Sequence, residues 1–72
     1  MQYKVVKQIF NSNGSFIKSC VFYLGSSTAS SLMDMLRFEG YCPIPEDDDT
    51  HKTFFRVTPE KFAIRYLFLL DS

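Results

Sequence analysis

Apolar side chains recur at strand spacing over residues 3–10 and 16–24, on either side of Asn13-Gly14. That dipeptide offers two positions tolerant of positive φ, as a two-residue type I′ connection requires, and so predicts a β-hairpin. The register follows from the loop. Phe10 is set opposite Ile17, Val6 opposite Val21 and Lys4 opposite Tyr23, while Val5 faces Phe22 and Tyr3 faces Leu24 on the other side. A hairpin with one wet face alternates apolar and polar cleanly, and this one does not. Burial on two sides is expected.

After Gly25 the period changes from two to that of a helix. Ala29, Leu32, Met33 and Leu36 form a stripe able to face a sheet, with Asp34 and Arg37 directed to water. Ser27 or Thr28 is the expected N-cap and Gly40 the stop after a helix ending near Glu39. Residues 41–51 then read as a connector, held extended by Pro43 and Pro45. Glu46, Asp47, Asp48 and Asp49 repel one another there and favour a solvated loop; their sharper reading is an acidic docking loop.

Residues 52–57 read as a strand in which Thr53, Phe55 and Val57 alternate with Lys52, Phe54 and Arg56. Thr58-Pro59-Glu60 supports two continuations. As an N-cap with proline at the first helical position it opens a helix from about residue 59. As the start of a four-residue loop ending at Lys61 it closes a second hairpin. A helix over 62–70 would be apolar nearly all round, which a chain of 72 residues can hardly bury, so the strand is preferred. In that register Val57 faces Phe62, Phe55 faces Ile64 and Thr53 faces Tyr66.

The expected fold is therefore α+β: a β-β-α-β-β chain folded as a four-stranded antiparallel sheet with one helix on one face, in a single small domain spanning 1–72. The alternative is β-β-α-β-α, with a C-terminal helix. One helix of about twelve residues leaves the other sheet face open, and the expected register places Phe54, Leu67 and Leu69 there with Lys52, Arg56 and Arg65. An apolar patch of that kind marks an interaction surface.

Composition narrows the function classes. Eight basic residues balance eight acidic ones, which removes the long-range field that draws a protein to nucleic acid or an anionic membrane. Residues 62–70 are too few to span a bilayer, and Arg65 interrupts them. Neither a secretory leader nor a disulfide framework is read in the two cysteines, so free thiols in a cytoplasmic protein are expected. Two cysteines and one histidine do not complete a tetrahedral metal site, and the acidic run lacks calcium-loop spacing. No catalytic residue, metal, cofactor or small-molecule substrate is inferred, and an enzyme is not expected.

What remains is a protein-binding module, a homodimer by expectation, acting as a regulator or inhibitor that covers a surface of a larger protein. Its size and composition suit an accessory protein of the kind that viruses and mobile elements encode. The alternative is a nucleic-acid-binding domain that stacks bases on Phe54 between Lys52, Arg56 and Arg65.

Overall fold

Two hairpins and a helix build the fold, and the turn of each hairpin departs from expectation in an informative way. The computed structural model describes residues 2–45, 48 and 50–71. In it β1 (Gln2–Phe10) pairs antiparallel with β2 (Phe16–Gly25). The turn between them spans one residue more than the expected loop. The Gly14 amide donates to Asn11 O at 3.0 Å, Gly14 itself is left-handed at φ 85°, and the Asn11 amide donates to Ser15 O at 2.9 Å. Asn11 Oδ1 also accepts the amides of Asn13 and Ser15, an Asx-type arrangement that fixes the turn from its first residue. A register shift absorbs the extra residue: Phe10 pairs with Phe16 instead of Ile17. Beyond it the expected partners meet, Val6 with Val21, Lys4 with Tyr23, Val5 with Phe22 and Tyr3 with Leu24.

Helix α1 (Ser26–Phe38) follows β2 without a lead-in. Gly25 is both the last strand residue, paired with Gln2, and the N-cap in extended conformation, so no hydroxyl side chain caps the helix as Ser27 or Thr28 was expected to do. The C-terminus forms as expected. Gly40, at φ 93°, donates to Arg37 O, and Tyr41 donates to Leu36 O, the paired bonds of a Schellman motif. Leu36 and Tyr41 are both buried, which adds the apolar contact that accompanies such an ending.

The connector supplies a strand that the sequence did not announce, β3 (Cys42–Pro43), which pairs with β4 (His51–Val57). Among the described residues the sheet therefore has five strands rather than four, in the order β2-β1-β5-β4-β3, with every pair antiparallel. β5 (Ala63–Asp71) confirms the strand reading over the helical alternative, and it lies between β1 and β4.

The second hairpin differs from expectation by one residue. Its loop runs from Thr58 to Phe62, closed by the Thr58 amide on Phe62 O at 2.8 Å and by the Phe62 amide on Thr58 Oγ1 at 3.1 Å. Lys61 takes the left-handed conformation, at φ 73°. Val57 consequently pairs with Ala63, Phe55 with Arg65 and Thr53 with Leu67. A slip of one residue carries a whole strand's side chains to the other face. Lys52, Phe54 and Arg56 thus turn toward the helix, and Thr53, Phe55 and Val57 turn away from it.

The core lies between α1 and the face it covers. Val5, Ala29, Leu36, Tyr41, Phe54 and Phe68 are buried together, flanked by Tyr3, Phe22, Leu24, Leu32, Met33, Ile64 and Tyr66. Aromatic rings lock it edge to face, Tyr41 on Tyr66 at 5.5 Å and Phe54 on Phe68 at 5.7 Å. Such pairs add roughly 0.5–1.5 kcal/mol each beyond the area they bury. The expected helix stripe of Ala29, Leu32, Met33 and Leu36 faces this core.

Candidate functional site: the uncovered sheet face

Strand alternation and the observed register place five rows of side chains on the face that α1 leaves bare, beginning with Gln2 and Asp71 beside Gly25. Tyr23, Lys4, Leu69 and His51 form one row; Val21, Val6, Leu67 and Thr53 the next. Ser19, Gln8, Arg65 and Phe55 follow, and then Phe16, Phe10, Ala63 and Val57. Val21 and Tyr23 are each 51 % exposed at one side of this surface. Toward the other side the face is dished. A basin of about 380 Å³ is lined by Phe10, Ile44, Phe55 and Leu67, with Arg65, His51 and Thr53 supplying its polar groups.

The polar groups are held in place. The Arg65 Nε–H donates to Gln8 Oε1 at 2.8 Å, and its guanidinium lies 5.4 Å from the centre of the Phe10 ring. These contacts hold Arg65 across β1. Thr53 Oγ1 and His51 Nε2 lie 3.2 Å apart, so a buried hydroxyl and an imidazole share a bond along one strand edge. Lys4 and Arg65 place positive charge on this surface, and Asp71 supplies a carboxylate in the row beside Lys4.

Of the residues expected on this face, Leu67, Leu69 and Arg65 are there. Phe54 is not: it is 1 % exposed beneath α1, with the Arg37 guanidinium 5.1 Å above its ring. Lys52 and Arg56 share its side of the sheet, and Arg56 lies 5.9 Å from the Tyr41 ring centre. The set Lys52, Phe54, Arg56 and Arg65 is therefore divided between two faces, and Phe54 offers no ring for a base to stack on. Phe55 and Ile44 take part in the basin instead, and sequence spacing did not distinguish Phe55 from its neighbour Phe54.

The acidic loop is described only at Asp48; Glu46, Asp47 and Asp49 lie outside the described residues. Asp48 Oδ1 accepts both the amide and the hydroxyl of Thr50 at 2.9 Å. Those two bonds, with a smaller contribution from His51, hold its carboxyl below the ordinary aspartate value of 3.8. Asp48 is thus engaged in closing its own turn. Cys20 and Cys42 are free and exposed, and among the described residues no three His, Cys, Asp or Glu side chains are grouped to hold a metal ion. No helix among them is long and apolar enough to cross a membrane. Comparison with protein-family models, with curated proteins and with solved structures returned no match.

Proposed function

We propose that this chain is a small non-enzymatic protein-binding module, a regulator or inhibitor that acts by laying its uncovered sheet face on a larger protein in the cytoplasm. The observation that carries this reading is the bare face itself, where Val6, Val21, Leu67, Leu69, Phe10 and Phe55 lie across four strands with no helix or strand of the described residues above them. Val21 is exposed and the other five are partly buried, and a contiguous apolar surface left open in this way marks an interaction site. The basin suits one large apolar side chain of the partner, an anchor in a pocket. Lys4 and Arg65 favour a partner that is apolar at its centre and carries a carboxylate beside the anchor. The pairing of Arg65 with Gln8 and Phe10 supports this further, since a guanidinium already held in position loses less freedom on binding.

The test is site-specific photo-crosslinking in the producing cell, with the reactive residue placed at Val21 or Tyr23 on the bare face and at Ser30 on the helix as control. The expected result is one dominant protein adduct from the sheet positions, lost when Leu67→Asp or Arg65→Glu is added. Adducts from Val21 and Tyr23 that match those from Ser30, or that ignore both substitutions, would exclude the bare face as the docking surface.

A further inference from the structure

A second unpartnered surface runs along the helix. Positions 28, 31, 35 and 38 follow at steps of three, four and three, the spacing of a seam along which two helices pack. All four are exposed, and Phe38 is the extreme case at 93 %. The seam is graded in size: Thr28 and Ser31 occupy its N-terminal half, Met35 and Phe38 its C-terminal half. Beside the seam lies a groove of about 410 Å³, lined by Phe22, Leu24, Leu32 and Tyr66 together with Thr28, Ser31 and Met35 of the seam itself. One molecule therefore carries both a protruding ring and an empty apolar groove.

We infer that a second copy of this chain fills the groove, with the two α1 helices antiparallel about a two-fold axis and Phe38 of each copy entering the groove of the other. The sequence fixes the register. Thr28 with the partner's Phe38 and Ser31 with the partner's Met35 share one midpoint, Met33, so a single axis seats both large side chains over both small ones. A parallel pairing would set Phe38 on Phe38 and leave both grooves empty. Charge agrees with the antiparallel register. The first turn of α1 has neither a side-chain cap nor an acidic residue, and the same axis brings the partner's Glu39 level with Ser27. A carboxylate there meets the free amides and the positive end of the helix dipole, and antiparallel dipoles attract. Two helices of thirteen residues bury less than the roughly 1,600 Å² of a standard interface, so the association is a weak and reversible one. This surface lies on the opposite side of the sheet from the bare face, and the inference does not depend on the proposed function.

Sedimentation and light scattering across a concentration series test it. The expected mass rises with concentration toward twice the 8.4 kDa of one chain. Phe38→Asp raises the dissociation constant by at least about 30-fold, the loss of one interface hot spot. Thr28→Phe does the same from the other end by filling the groove mouth, and Leu67→Asp leaves association unchanged. Both helix substitutions are at exposed positions, and circular dichroism checks that the fold is kept. In a Cys20→Ser, Cys42→Ser background, chains with Ser31→Cys mixed with chains carrying Met35→Cys oxidise to a mixed dimer in preference to either self-pair. A single-chain mass up to about 1 mM, dissociation by Leu67→Asp but not by Phe38→Asp, or equal oxidation of Ser31→Cys with itself would each overturn the inference.

Discussion

Phe54 and Phe68 meet edge to face, their ring centroids 5.7 Å apart and their planes at 80°, and both are essentially buried under α1. The Arg37 guanidinium closes the outer side of Phe54 while its Nη1 bonds Asp34 Oδ1 at 3.2 Å, so a surface ion pair also covers the core. Truncating Phe54 to alanine removes the ring that joins β4 to the helix. Phe54→Ala is expected to cost about 3–5 kcal/mol in denaturant unfolding, against less than about 1 kcal/mol for Val57→Ala on the exposed end of the same strand.

Lys61 holds a left-handed conformation that glycine adopts without penalty. Lys61→Gly should therefore raise stability by about 0.5–1 kcal/mol, with unchanged cross-strand contacts between β4 and β5 in NMR. Thr58→Ala acts in the opposite direction, removing the hydroxyl that accepts the Phe62 amide, at a loss of about 1 kcal/mol.

Tyr41 has a phenol pushed above its ordinary value of 10.0, first by burial and then by the neighbouring Tyr66, with Lys7 and Arg56 opposing. A group whose pKa is raised in the folded state contributes stability that is complete below its unfolded pKa and is lost as pH rises through the folded one. Unfolding free energy should accordingly fall above pH 10, tracking phenolate absorbance. Tyr41→Phe should remove that alkaline decline while keeping most of the core packing.

Asp48 titrates in the other sense. Its depressed pKa means that its contribution is present above the ordinary aspartate range and is lost as pH falls below about 4. Thr50→Val deletes the bonding hydroxyl and should move the Asp48 carboxyl back toward 3.8 in an NMR titration. Because Asp48 is exposed, the accompanying change in global stability should be small.

The first hairpin was legible because its apolar residues and its Asn-Gly turn agree, and because the shift at Phe10 cancels the longer turn, so the strand register beyond it is unaltered. The second was legible as a hairpin but not in register. No glycine marks the left-handed position that Lys61 occupies, and Phe54 and Phe55 are adjacent rings of equal size. Apolar patterning could not choose between them, and the loop length decided. β3 was hidden for a related reason: two residues ending in proline carry no periodicity, and their pairing with Phe54 and Phe55 becomes visible only in three dimensions. The site inherited this division. Leu67, Leu69 and Arg65 follow from β5 alone, whereas the residues on β4 depended on the loop that aligns it.

The strand order also governs how the chain acquires its structure. β5, the last strand in sequence, is the middle strand of the sheet and joins β1, the first, from Gln2 opposite Asp71 to Phe10 opposite Ala63. During synthesis the β1–β2 hairpin and its helix emerge with one edge of β1 unpaired, and they keep it so until β5, which begins 25 residues beyond the end of the helix, has been added. Closing that long loop precedes most of the contacts that repay it, which places folding among the slower, milliseconds-to-seconds class of small domains. Over that interval the edge of β1 that β5 will occupy is an open template on which a foreign strand can add.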